Sequence, residues 1–238
     1  MHVLLATAEL SPLVKVGGLG DAVAGLRAAL LAGGTEVTTV LPDYSGWKLA
    51  RERVTALDVP RWAGPASART GLLPDGTPLT LVSVPDIERS HPYMDADGVG
   101  WPDNPVRFMA YSAAVAALAK KLGPDLVHAN DWHVGPVFGF LPTSMPTVFT
   151  IHNLAYQGRT DGSWLERIPR RPEAYEWWED TNPLSGAIAL ADKVVTVSPN
   201  YAREILTPEF GAGLDGPLLA RAADLVGITN GIDTNVWD

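Results

Sequence analysis

Seven short apolar runs, at residues 3–8, 36–41, 79–84, 125–129, 147–151, 193–197 and 225–229, recur along the chain with helix-patterned stretches between them. Their hydrophobicity is nearly continuous where a half-exposed strand would alternate, so each strand must be covered on both faces, which is the signature of a parallel sheet. Runs of this kind alternating with helices predict an α/β fold built on a doubly wound, mostly parallel sheet. Pro74-Asp75-Gly76, between 69–73 and 79–84, has turn chemistry and predicts one inserted antiparallel β-hairpin. The best-signalled helix covers 105–122. Asn104 is its expected cap, Pro105 suits its first position, and Phe108, Tyr111, Val115, Leu118 and Leu122 share one face. Lys120 and Lys121 suit its C-terminal end, and Gly123-Pro124 stops it. Other helices are expected over 21–31, over 199–206 and between 173 and 190.

The first strand and first helix are joined through Lys15-Val16-Gly17-Gly18-Leu19-Gly20-Asp21. Three glycines in four positions let backbone approach a ligand closely, and the free N–H groups of the following helix point at the same place. The helix dipole and the Lys15 amine both favour a phosphate there. The plainer alternative is a glycine-rich connection that binds nothing. The run is not G-x-x-x-x-G-K-[ST], and it does not turn directly off the strand as G-x-G-x-x-G does, because residues 9–16 intervene. Asp43, just past the second strand, sits where an NAD enzyme would hold its ribose, which keeps that rival open.

With 238 residues and 46% hydrophobic content, the chain can bury the core of one large domain. A net charge of -9 opposes nucleic acid and anionic membranes as partners, so a phosphorylated ligand has to be held by a local site. The absence of cysteine excludes a disulfide framework, a thiolate nucleophile and Cys-zinc sites. Residues 1–8 are too short for a signal peptide, and no run approaches the ~20 apolar residues of a membrane span, so a cytoplasmic protein is expected.

Open parallel sheets bind ligands beyond the carboxyl ends of their strands. Polar residues gather at those positions: Glu9, then Asn130-Asp131-Trp132-His133, then His152 to Gly158, then Asn230-Gly231-Ile232-Asp233. Asp131 suits either a helix cap or a polar ligand contact. His128 and His133 do not share a helix face as H-E-x-x-H requires, so no metal site is expected. Asp95-Ala96-Asp97 has the form of a metal-holding D-x-D, but with Gly98 following it reads as a solvated loop. His152 and Asn153 can reach hydroxyl groups, though a lone histidine more often just holds its loop. Tyr156 and Gln157 add an aromatic face and an amide that suit a sugar. No G-x-S-x-G occurs, so an esterase nucleophile is absent.

In sequence order these stretches resemble the bacterial glycogen synthases and plant starch synthases, the ADP-glucose-dependent glucan synthases. Lys15 to Asp21 is similar to their K-[TV]-G-G-L-[GA]-D. His91-Pro92-Tyr93 resembles S-P-Y, Asp103-Asn104 with Arg107-Phe108 matches D-N-x-x-R-F, and His128 to His133 resembles H-A-H-D-W-H. His152 to Gly158 matches H-N-L-A-Y-Q-G unchanged. Ala191-Asp192, Thr196 to Pro199, Tyr201 to Ile205, and Asn230 to Asp233 with Trp237 follow the same family.

The resemblance implies a Rossmann-like domain, the N-terminal half of a GT-B glycosyltransferase that moves glucose from ADP-glucose to an α-1,4-glucan such as glycogen, with retention and without a metal or other cofactor. It implies that Lys15, Gly17 and Gly18 hold the distal phosphate, that Asp21 orders the loop, and that Tyr93, Asp131 and Asn230 line the glucose site beside Asn153. His152 would hydrogen-bond the transferring sugar, with His152 and Asp131 as the catalytic pair and Glu9 and Tyr156 on the acceptor side. Two departures stand out. Ser185-Gly186 replaces the family's lysine-containing pair, and residues 159–183 are unlike the family. The family's second Rossmann-like domain, entered through the motif at Asn230 and Trp237, is expected to be missing from this chain and to be needed in cis or in trans, so the chain alone is expected to be inactive. The alternative is a binding module for a glucan or sugar nucleotide, without turnover.

Overall fold

A computed structural model describes residues 1–231 of the chain. Along them run β1 (His2–Ala6), α1 (Gly18–Ala32), β2 (Glu36–Pro42), β3 (Ala50–Leu57), β4 (Ala66–Leu72), β5 (Pro78–Ser83), α2 (Asn104–Leu122), β6 (Leu126–Asn130), β7 (Thr147–Ile151), β8 (Thr160–Asp161), β9 (Glu176–Trp177), β10 (Asp180–Thr181), α3 (Pro183–Leu190), β11 (Lys193–Thr196), α4 (Pro199–Glu204), α5 (Asp215–Ala220) and β12 (Leu225–Gly227). Nine strands form one sheet in the order β12-β11-β7-β6-β1-β2-β5-β4-β3. Seven are parallel, and they are the seven apolar runs. The fold is a Rossmann-like, doubly wound α/β sheet.

The expected hairpin is present as antiparallel β4 and β5, and β3 extends it by a further antiparallel strand. The sequence pattern did not predict β3. Its Arg51, Glu52, Arg53 and Val54 are all exposed, so it carries no apolar face to read, and such charges suit an edge strand that must not pair with another chain. The small sheet β8-β10-β9 was also unforeseen, because two-residue strands hold no periodicity.

β1 is the pivot. Its neighbours are β2 and β6, each parallel to it, with Ala6 level with Val40 on one side and Ala129 on the other. The connection from β1 runs towards β2 and the strands added after β6 run the other way, which opens a crevice at the carboxyl ends of β1 and β6. Tyr111, fully buried on α2, donates its hydroxyl to both Thr7 O and Val40 O at 3.0 Å and so fixes the floor of that crevice.

Helix α2 is buried along Arg107 to Ala116 and again at Leu118 and Ala119, and Gly123 ends it in the left-handed conformation at φ 60. Asn104 is not its cap. Asp103 takes that position without a side-chain bond and pairs instead with Arg89, while Asn104 donates to Tyr93 O at 2.7 Å and accepts from Arg107 Nη1 at 2.8 Å. Helix α1 starts at Gly18, three residues before the expected start, so the glycines enter its first turn. Asn182 and Ser198 cap α3 and α4 through Ser185 N and Tyr201 N. At the departure from the family pattern, Ser185 N–H donates that cap bond to Asn182 Oδ1 and Gly186 gives room to the Tyr175 ring, which a Cβ would meet at 2.1 Å.

Arg107 is fully buried, yet every arm of its guanidinium is bonded: Nε to Asp86 O, Nη1 to Pro92 O and Asn104 Oδ1, Nη2 to Ile87 O. Its bonds fold segment 86–92 against α2 and present Tyr93. Arg107→Met keeps the volume but abandons three backbone carbonyls, so the variant should lose about 2–4 kcal/mol in urea denaturation. A loss below about 0.5 kcal/mol would mean water replaces those bonds without cost.

Candidate functional site

The glycine loop leaves β1 through Glu9, whose carboxylate is buried and fully engaged. Oε2 accepts the N–H groups of Val16 at 2.8 Å and Gly17 at 3.0 Å, and Oε1 accepts the Tyr93 hydroxyl at 2.9 Å. Glu9 therefore holds the loop and Tyr93 together. Gly20 is needed for close approach, since a Cβ there would lie 3.0 Å from Val14 O. Gly17 and Gly18 are exposed, and from Gly18 onward the first-turn N–H groups of α1 have no partner within the helix. Lys15 and Asp21 form an exposed ion pair of 2.8 Å across the glycines, and its hydrogen bond draws the Asp21 carboxyl below its usual range.

Across the crevice, Asp131 follows β6 in the left-handed region at φ 55. It caps no helix. Its Oδ1 accepts His152 N at 2.8 Å and so braces the loop after β7. Asn130 donates its amide to Ala6 O at 3.1 Å, which leaves Oδ1 facing His152 Nε2 at 3.0 Å. This network puts the His152 proton on Nε2 and leaves Nδ1 as an acceptor. Asn153 is exposed and turns its Oδ1 back to Ala155 N at 3.0 Å. Tyr93 stacks on His133 at 4.6 Å between ring centroids, and His133 stacks on Trp132 at 4.1 Å.

Other sequence readings resolve differently. Gln157 spends its amide inside the protein, on Ala212 O and on Asn182. Asp95 Oδ1 accepts the N–H groups of Asp97 and Val99, closing a solvated loop. His128 is buried against Thr150 Oγ1 at 2.7 Å. Among the described residues no group of three or more His, Asp or Glu is placed to hold a metal ion, and no helix is long and apolar enough to cross a membrane. Asp43 is taken up by Arg69, by the Ser83 hydroxyl at 3.1 Å and by Gly46 N at 3.0 Å, so the carboxylate a ribose would need is engaged. Asn230 is exposed beyond β12, three strands and about 14 Å across the sheet from β6. Ile232, Asp233 and Trp237 lie outside the described residues.

Residues 2–220 match the family described as starch synthase catalytic domain. The chain belongs to the starch synthase catalytic domain family. It is 42% identical to a glycogen synthase of Paramagnetospirillum magneticum over all of its length and 53% of that relative. It is 41% identical to glycogen synthase 2 of Nitrosococcus oceani, over 99% of this chain and 52% of the relative. The catalytic domain of starch synthase IV from Arabidopsis thaliana, solved bound to ADP and acarbose, superposes with a TM-score of 0.83 at 31% identity, over all of this chain and 52% of that one. A sucrose-phosphate synthase from Thermosynechococcus elongatus, 16% identical over 85% of this chain and 44% of its own with a TM-score of 0.50, shares the fold. The chain spans about half the length of the curated relatives it matches.

Within this starch synthase-type domain the crevice is electrostatically divided. The loop side presents helix N–H groups and a lysine. On the β6 side, burial raises the Asp131 carboxyl to about 7, opposed by the His152 and Asn153 N–H groups and reinforced by the charge of Glu9. Burial lowers His152 to about 4, so its imidazole is neutral at pH 7. Sequence reasoning had passed over Asn130, which fixes the His152 tautomer, and Arg107 with Asn104, which place Tyr93. Each lies inside a motif already noted, but its role depends on a partner more than ten residues away.

Because the folded Asp131 carboxyl holds its proton up to about pH 7, where an ordinary aspartate loses it near 3.8, folding takes up a proton between those values, and the stability Asp131 confers is lost as pH rises through them. Asp131→Asn removes that loss. Its stability relative to the native chain should grow by roughly 1–3 kcal/mol between pH 5 and pH 8 in urea denaturation. An offset equal at both pH values would show that Asp131 ionises as an ordinary carboxyl.

Proposed function

We propose that the chain binds ADP-glucose in the crevice between β1 and β6 and belongs to a retaining glucosyltransferase that passes the glucose to an α-1,4-glucan. One observation carries this reading: an open helix N-terminus with a lysine faces, from the adjacent strand, a buried carboxyl and a neutral imidazole held in fixed geometry. The first set suits a diphosphate and the second a hexose. Two findings support the choice of ligand, the relatives named glycogen synthase and the Arabidopsis relative that binds ADP and acarbose.

Breaking the bond between the sugar carbon and the phosphate oxygen leaves positive charge on the ring and negative charge on the departing diphosphate. Lys15, with Gly17 and Gly18 allowing the phosphate to come close, stabilises the negative end through the N–H groups of α1. Asp21 keeps Lys15 over the loop until a phosphate competes for it. Asp131, ionised in part near neutrality, favours the positive end. His152 accepts a sugar hydroxyl at Nδ1, with Tyr93 and Asn153 bordering the glucose. Tyr156 stands on the acceptor side, whereas Asn230, three strands away, takes no part in holding the glucose in this arrangement. Glu9, wholly engaged with the loop and Tyr93, acts by positioning them.

In this reading a further Rossmann-like domain, in cis or in trans, closes the crevice. Without it the contacts face water and are screened, so the chain alone binds nucleotide but transfers little glucose. The absence of any cysteine in the chain suits a cytoplasmic setting for that chemistry.

Calorimetry of the chain with ADP and with NAD tests the reading. ADP should bind, and Lys15→Ala should weaken it about three- to tenfold, the loss of one partly screened charge-assisted bond. NAD binding without an ADP response would overturn the proposal. In the chain joined to the rest of a relative, His152→Ala should lower kcat far more than it raises the donor KM, because the histidine contacts the reacting sugar and not the nucleotide. A change confined to KM would reduce His152 to a binding residue.

A further inference from the structure

Asn130, the last residue of β6, is fully buried. It lies level with Thr150 of β7, and His152 follows two positions beyond that threonine. Its amide is bonded at both ends: Nδ2 donates to Ala6 O on β1 at 3.1 Å, and Oδ1 faces His152 Nε2 at 3.0 Å. An asparagine beside a histidine is by itself ambiguous, since the amide can turn either end towards the ring. Here the ambiguity is removed from the other side. A carbonyl can only accept, so Ala6 O takes the NH2 end, the amide oxygen is left for the ring, and the ring has to donate.

Asn130 is the only hydrogen-bond partner of the His152 ring among the described residues. The ionisable groups around it are committed elsewhere. Asp131 bonds the His152 backbone N–H, Glu9 is taken up by the loop and Tyr93, and His128, two residues back on β6, is tied to Thr150 Oγ1 at 2.7 Å. A neutral amide, unlike a carboxylate, does not favour the imidazolium form, so the ring stays uncharged while one of its nitrogens is fixed as donor. What His152 can offer a ligand is therefore an acceptor at Nδ1, and this suits a hydroxyl that donates.

We propose that Asn130 is a positioning residue for glucose transfer: its amide, oriented by Ala6 O, fixes His152 as the acceptor of a sugar hydroxyl. The proposal deepens the donor reading above and rests on it. It also states what position 130 demands, which is one donor towards β1 and one acceptor towards β7. The pattern H-A-H-D-W-H has an imidazole where this chain has Asn130, and a neutral imidazole carries the same one donor and one acceptor.

Nitrogen NMR of the histidine rings of the chain at pH 8 reads the tautomer directly. Native His152 should carry its proton on Nε2 alone. Asn130→Leu, similar in branching but without polar atoms, should give exchange between the two tautomers, and Asn130→His should restore the single one. In the chain joined to the rest of a relative, Asn130→Leu should lower kcat about ten- to hundredfold with the donor KM within about threefold, and Asn130→His should recover most of that loss. A native His152 protonated on Nδ1 would overturn the proposal. So would an Asn130→Leu chain that loses kcat with the His152 tautomer unchanged, since Asn130 would then serve only the fold, or one that keeps native kcat. Should Asn130→Leu fail to fold, the native tautomer and Asn130→His decide: a folded Asn130→His chain with neither the single tautomer nor the activity contradicts the proposal. If the tautomer follows Asn130 but the joined chain moves no glucose from ADP-glucose, the positioning of His152 stands and the donor reading falls.

Discussion

The site depends on the carboxylate of Glu9. A glycine-rich loop has many conformations, and ordering one costs backbone entropy that glycine makes larger than usual. Glu9, itself buried, offsets that cost by accepting two consecutive loop N–H groups on one oxygen and the Tyr93 hydroxyl on the other, bonds strengthened by the charge of the carboxylate. The loop is then set before any ligand arrives, and the N–H groups that remain turned outward begin at Gly18.

The tie needs a rigid anchor at its other end, and α2 supplies one. Arg107 and Asn104 hold the carbonyls of Pro92 and Tyr93, while Tyr111 holds those of Thr7 and Val40, so one helix fixes both the Tyr93 segment and the ends of β1 and β2. From Tyr93 the stack passes through His133 to Trp132. Burial keeps the His133 imidazole neutral, with its pKa lowered to about 3, so the stack carries no charge through the core.

The parallel strands were legible because burial on both faces makes a run apolar throughout, and α2 was legible from its aromatic spacing and its Gly123 stop. β3 was not, because a solvated edge strand has charges where a core strand has Val or Ile. In the site, the sequence brought forward Lys15, Asp131 and His152 because they end strands or flank glycines. It could not tell that Glu9 faces inward, that Asp131 braces a neighbouring loop instead of capping a helix, or that Gln157 spends its amide inside the protein. Each of those facts is a partner choice between residues far apart in sequence, and local pattern carries no information about partners.

The central claim is that the crevice between β1 and β6, and not the end of β2, receives a diphosphate. Backbone amide NMR of the chain titrated with ADP addresses it residue by residue. The account predicts the largest shifts at Gly18, Leu19 and Asp21, with smaller ones at Asp131 and His152 across the crevice. Largest shifts between Asp43 and Gly46, with the glycine loop unmoved, would contradict it.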